Sequence, residues 1–193
     1  METTPSDYPE ALDTDRLHLR RWRPGDREAY EAIWADPAVW KSLRGGEPGD
    51  PAAAATESFA RQLRQWDEHG FGLWAAVDRS TGDLAGWIGA WHPVFIPALA
   101  DQIEIGWTLR EPFWGRGLAT EGARVAVEVA FSQLAPPRLI SIILPANARS
   151  IAVAERLGMR RAETVIHPQL GAELQVYELS SSPSASPQSV SSR

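Results

Sequence analysis

A corner of small residues carries the most chemistry in this sequence. Gly115-Arg-Gly117-Leu-Ala119-Thr120 falls between a predicted strand and a predicted helix. Glycines at such a corner let the backbone approach a ligand closely, with successive N–H groups turned outward. A helix N-terminus adds roughly half a positive charge. Together they suit an anion, phosphate above all. A tight strand-to-helix turn needs the same glycines without any ligand. Two common phosphate motifs fail here. A nucleotide P-loop requires Gly-Lys-Ser/Thr, and Lys41 is the only lysine of the chain. A dinucleotide fingerprint requires a third glycine where Thr120 stands and an acid about 20 residues on. No Asp or Glu occurs between Glu128 and Glu155.

The corner has to be held by the elements around it. Gln102–Leu109 alternates Ile103, Ile105 and Trp107 against Glu104, Gly106 and Thr108, the period of a strand. The helix after the corner runs to Leu134, its alanines 119, 123, 126 and 130 on one stripe with Val127 and Leu134. Upstream, Arg16–Trp22 reads as a strand. Pro24-Gly25-Asp26 breaks it, and Asp26 caps a helix that Asp36-Pro37 stops. Gly45–Pro51 is a loop, Ala52–His69 a long helix, and Phe71–Val77 and Leu84–Trp91 two strands about the turn Asp78–Asp83. Downstream, Leu139–Leu144 is a continuous apolar run, as in a strand covered on both faces. Asn147 caps a last helix that stops at Leu157-Gly158. Strands near Met159–Ile166 and Leu174–Leu179 follow. This order predicts an α+β sheet with at least one parallel crossover.

The chain has 193 residues, enough for one domain with its own core. Residues 1–12 read as a flexible lead and 13–179 as the domain. Residues 180–193 form a Ser/Pro-rich tail with too little apolar surface to offset its ordering entropy. Apolar residues make up 44% and charged residues 23%, which excludes a wholly disordered or fibrous chain. Cysteine is absent, which excludes disulfides, a thiolate nucleophile and cysteine-ligated zinc. His18, His69, His92 and His167 show no metal-ligand spacing, so no metal is expected. The net charge of −6 disfavours a nucleic-acid partner. No apolar run reaches the ~20 residues that cross a bilayer, so no membrane partner is expected. The acidic N-terminus has no hydrophobic segment, and the reading is cytoplasmic.

The stretch Trp114-Gly-Arg-Gly-Leu-Ala119 resembles the pyrophosphate loop of the GNAT acetyltransferases, patterned Gln/Arg-x-x-Gly-x-Gly/Ala, with Gly117 and Ala119 at the last two positions. Trp114 departs from the Gln/Arg position and looks like the RimJ/RimL branch. Four other stretches agree in order. Asp13–Arg20 resembles that branch's opening strand, and Trp34–Val39 its first-helix ending. Glu104-Ile-Gly-Trp107 resembles its fourth strand, and Asn147–Gly158 its Asn-x-x-Ser helix and stop. The resemblance covers roughly residues 13 to 179.

It implies a GNAT fold: a mixed, mostly antiparallel, splayed sheet with helices on both faces. It implies acetyl transfer from acetyl-CoA to a primary amine, a protein N-terminus or a small molecule, by direct attack in a ternary complex. The pantetheine arm would pair with Trp107, Thr108 and Leu109, and the diphosphate would sit on Trp114, Gly115, Arg116, Gly117, Leu118, Ala119 and Thr120. Asn147 and Ser150 would also meet the cofactor. Neutralising a lysine amine at pH 7 costs ~4.6 kcal/mol and an α-amine ~1.4 kcal/mol, so a base is useful. Glu104 is the candidate. An N–H around Trp107–Thr108 is the candidate oxyanion donor. Many members carry a tyrosine seven residues after the Asn to protonate the departing thiolate. Ala154 stands there, which leaves Ser150 or no acid at all. Trp87 and Trp91 are candidates to wall the acceptor site, and His92 to line a pocket. Arg116 is a candidate for a phosphate oxygen. Homodimers are common among such enzymes. The missing tyrosine keeps a non-catalytic acyl-CoA sensor or scaffold in view, and an interaction module that lost the cofactor is a further alternative.

Overall fold

The computed structural model describes residues 7–45 and 49–181. One sheet runs in the order β1-β2-β3-β4-β5-β6-β8-β7. Its strands are β1 (Ala11–Asp13), β2 (Leu17–Arg20), β3 (Leu73–Asp78), β4 (Leu84–Trp91), β5 (Ile103–Leu109), β6 (Arg138–Ile143), β7 (Arg160–Ile166) and β8 (Glu173–Ser180). Every neighbouring pair is antiparallel except β5–β6, which is parallel. The sheet is therefore mixed and mostly antiparallel, as anticipated.

Helices cover both faces. Helix α1 (Arg27–Ala35), α2 (Pro37–Arg44) and α3 (Pro51–His69) lie on one side. There Tyr30, Ile33 and Phe59 pack on Leu73, Ala75 and Trp87. Helix α4 (Leu118–Val129) lies on the other side, where Leu118, Ala123 and Ala126 pack on Ile88, Ala90 and Ile105. Burying each such large apolar side chain stabilises the fold by about 1.5–3 kcal/mol. Helix α4 sits close because residue 122 is glycine. A Cβ there would meet Ile88 Cδ1 at 2.6 Å. Helix α5 (Ala148–Arg156) packs Ala154 on Ile143 and Tyr177.

The sheet differs from expectation at its start. Of the lead expected over residues 1–12, the described part, from residue 7, is packed. Tyr8 is 3% exposed and stacks on Trp74 at 4.8 Å. The Trp74 indole N–H donates to the Pro9 carbonyl, and β1 adds a rung to β2. One aromatic with a waiting pocket anchors a segment whose composition shows no period. Asp26 stands at the N-cap position of α1, as expected, but its side chain does not bond the helix. Its carboxylate instead accepts both terminal nitrogens of Arg20, at 2.8 Å each, and the Arg23 N–H. Asp36-Pro37 ends α1 as expected but also begins α2, with the Asp36 carboxylate accepting the Ala38 N–H. The helix expected to reach Leu134 is α-helical to Val129 and widens into a π turn over Ala130–Leu134. Of the expected tail, Ser180 closes β8, and residues 182–193 lie outside the described residues.

Candidate active site

The site begins where two strands part. Strands β5 and β6 pair only at Ile103↔Leu139 and Glu104↔Ile140. On its other edge β5 pairs fully with β4, and the Arg110 N–H donates to the Ala85 carbonyl. Hydrogen bonding alternates along an antiparallel pair. Residues 104, 106 and 108 therefore turn their main-chain groups to β4, and 105, 107 and 109 turn theirs into the gap. The Ser141 hydroxyl donates to the Ile105 carbonyl at 2.6 Å, and the Trp114 indole N–H donates to the Leu109 carbonyl at 2.6 Å. The N–H and C=O of Trp107 are left open to an extended ligand. Thr108, expected beside it, spends its main chain on β4.

The glycine corner closes one end of this gap. Gly115 and Gly117 have φ of 70° and 78°, in the left-handed region that disfavours any side chain. Gly117 is the N-cap of α4, and no side chain caps that end. The first-turn N–H groups of α4 have no intrahelical partner, which makes them donors for an anion. Thr120 and Leu118 are buried beneath them and Ala119 is half-buried. The corner is braced from outside. Arg16 donates to the Arg116 carbonyl at 2.7 Å and to the Glu121 carboxylate at 2.7 Å. Burial opposes the Glu121 charge, but the Thr14 hydroxyl and the Arg16 donors outweigh it and hold the carboxyl below its ordinary value. These fixed donors fit a diphosphate, and the open edge at Trp107 fits an amide-bearing arm.

Glu104 lies at the apex of the gap. It is 6% exposed, and its Oε1 accepts the Ile142 N–H across the two strands at 3.2 Å. Its Oε2 has no hydrogen-bond partner among the described residues. Burial pushes the carboxyl up to about 8, against the pull of the Ile142 N–H and the Trp91 indole. A buried carboxyl with one bare oxygen and a pKa near the working pH is suited to accept a proton.

One cleft of about 1550 Å³ joins these parts. It is lined by every candidate residue except Arg116 and His92. The Arg116 side chain turns away to Asp78, at 2.9 Å, so only its main chain belongs to the corner. His92 packs against His69 and Phe71 and bonds the Gln102 carbonyl. Asn147 is the expected cap. Its Oδ1 accepts the Ser150 N–H, and its Nδ2 donates to the Ser42 carbonyl, tying α5 to α2. Ser150 lines the cleft from the first turn of α5. Ala154 is fully buried in the α5 core and does not line it. Arg149 lies over the Trp114 ring at 4.1 Å, bridging the corner and α5. Two contributors were missed by the sequence reading. Ser141 lay inside an apolar run, and Arg61 lay among other charges on a long helix. Among the described residues no group of three or more metal-ligating side chains is gathered, and no helix is long and apolar enough to cross a membrane.

A family model described as an acetyltransferase (GNAT) domain matches residues 16–160. The chain belongs to the GNAT acetyltransferase family. The Bacillus subtilis protein YkkB is 30% identical over 166 residues, spanning 80% of this chain and 87% of its own. The FsC-acetyl coenzyme A-N(2)-transacetylase of Aspergillus fumigatus is 31% identical over 166 residues, 79% of this chain and 66% of that enzyme. The crystal structure of an acetyltransferase from Agrobacterium tumefaciens matches with a TM-score of 0.75 at 30% identity, over 94% of this chain and 99% of that one. The ribosomal-protein-S5-alanine acetyltransferase of Vibrio fischeri shares the fold, with a TM-score of 0.67 over 88% of this chain and 96% of its own, at 14% identity. This GNAT protein is thus an acetyltransferase by family, with the sheet, the gap and the corner in place.

Proposed function

We propose that this GNAT protein is an acetyl-CoA-dependent N-acetyltransferase of the RimJ/RimL-like branch, acting on a primary amine by direct attack in a ternary complex. The observation that carries the reading is a single cleft joining an uncapped helix end, an open strand edge and a half-partnered buried carboxyl. Bound there, acetyl-CoA supplies an activated acetyl group. The N–H groups from Gly115 to Thr120 hold its diphosphate, and the carbonyl of Trp107 accepts from its pantetheine arm. Asn147 keeps α5 against the gap. Oε2 of Glu104 takes the proton from the amine. The N–H of Trp107 faces the gap and steadies charge on the acyl oxygen. The Ser150 hydroxyl is the hydrogen-bond donor proposed for the departing thiolate, which leaves with no acid of its own.

Calorimetric titration with acetyl-CoA, followed by an amine panel read as free CoA release, tests this. Binding and turnover are expected. Binding without turnover of any amine would favour an acyl-CoA sensor. Absence of binding would remove both. A Gly117→Val substitution separates the corner from the rest of the cleft. It forces a side chain into a left-handed conformation, against the Arg16 guanidinium that braces the corner, so the corner should distort and acetyl-CoA affinity fall at least about tenfold.

A further inference from the structure

The acceptor's approach can be read from the sheet. Directly paired residues share a face, and Glu104, Gly106 and Thr108 pair with Trp91, Gly89 and Trp87. That is the face covered by α1, α2 and α3, whereas α4 lies on the other. An amine reaching Glu104 therefore meets the side chains that α1–α3 send into the cleft.

Those side chains are unbalanced in charge. Arg44, Arg61 and Arg64 line the cleft, and Glu57 is the one acid that α1–α3 add to it. Glu57 meets Arg61 at 3.4 Å but is 75% exposed, so the pair is weak. Arg61 lies beside the Trp91 ring, 5.9 Å from its centre, with its side chain 25% exposed. The Nε atoms of Arg61 and Arg44 are buried with no acceptor. Buried donors are nearly always paired in native proteins. On the far wall His167 accepts the Gln169 N–H at Nδ1, which leaves its ring proton on Nε2. Burial, and then the Arg44 charge, hold that ring below its ordinary pKa, so it stays neutral and adds a donor to the wall but no charge. This donor-rich, cationic wall belongs to a chain of net charge −6.

Resting on the acetyltransferase reading above, we infer that the acceptor amine carries an anionic group, a carboxylate or a phosphate. Arg61 holds that group, Arg44 and Arg64 support it, and the acceptor's apolar body lies on Trp91 and Trp87. A guanidinium packed along an aromatic ring presents its remaining donors in a fixed fork, which suits such an oxyanion. Polycationic amines are repelled by the same wall.

Matched acceptors test this, with CoA release as the readout. L-phenylalanine is compared with L-phenylalaninamide, and phosphoethanolamine with ethanolamine; spermidine is the polycation. The amide has the less basic amine and so more free base at neutral pH, which means intrinsic reactivity favours it. A kcat/KM at least about tenfold higher for the acid of either pair supports the inference, and the pair that shows it tells carboxylate from phosphate. Arg61→Gln should shrink that ratio through KM, and Arg61→Lys should retain part of it. Arg64→Glu changes an exposed position and should lower the ratio without threatening the fold. Arg27→Gln, outside the cleft, should leave it unchanged. Equal rates within both pairs, or preference for spermidine, with acetyl-CoA still bound, overturn this inference alone. Acetyl-CoA binding with no amine acetylated overturns it and spares the cofactor site. No acetyl-CoA binding overturns the acetyltransferase reading itself.

Discussion

At neutral pH the Glu104 carboxyl is mostly protonated in the free protein, because burial raises it to about 8 from 4.5. Activity should therefore climb as pH rises toward 8. Glu104→Gln keeps the acceptor for the Ile142 N–H but cannot take a proton. It should lower kcat/KM by about 10²–10³-fold at pH 7, with part of the loss recovered at higher pH as free amine accumulates. A flat pH profile in the variant, equal to that of the parent, would count against a base at this position. Stability follows with a definite sign. The folded value lies above the unfolded one, so the stabilisation that Glu104 provides is complete below pH 4.5 and is lost as pH rises through 8. Glu104→Gln should thus raise the melting temperature at pH 9 by several degrees, at about 2–4 °C per kcal/mol, and change it little at pH 4. Glu104 was legible in the sequence because a strand's alternation sets it apart from Ile103 and Ile105. The turning of Arg116 onto Asp78 was not, since 38 residues separate the two and no local pattern links them.

Elements were legible where the signal is local. The strand before the corner, the corner itself and the stop at Gly158 follow from side-chain period and backbone freedom. The second helix was hidden because Asp-Pro marks both a helix end and a helix start. The gap was hidden for a different reason. Where β5 leaves β6 is decided by register between strands far apart in sequence, and by a serine inside an apolar run. Ser141→Ala tests that serine. It removes the hydroxyl that ties the Ile105 carbonyl across the two strands, where both groups are buried. The cost should be about 1 kcal/mol, a fall of about 2–4 °C in melting temperature. No change in the melt would mean that the strands hold their spacing without it.

Taken as a whole, the molecule is sealed from its N-terminal end. Tyr8 closes a cluster of Trp66, Phe71 and Trp74, and Pro9 supplies the acceptor for the Trp74 indole. Tyr8→Ala should destabilise the fold by about 3 kcal/mol, as other buried aromatic truncations do, and a melt unchanged by the substitution would show the segment to be dispensable. Composition alone could not reveal this, because the anchor is one residue and its pocket is assembled from α3 and β3. The parting of β5 from β6 has one more consequence. The sheet is a rung short, and a bound arm would complete it as a guest strand. Deuterium from solvent should enter the Trp107 amide quickly in the free protein and far more slowly once that place is taken, while the β4-paired amide of Thr108 keeps its own pace throughout.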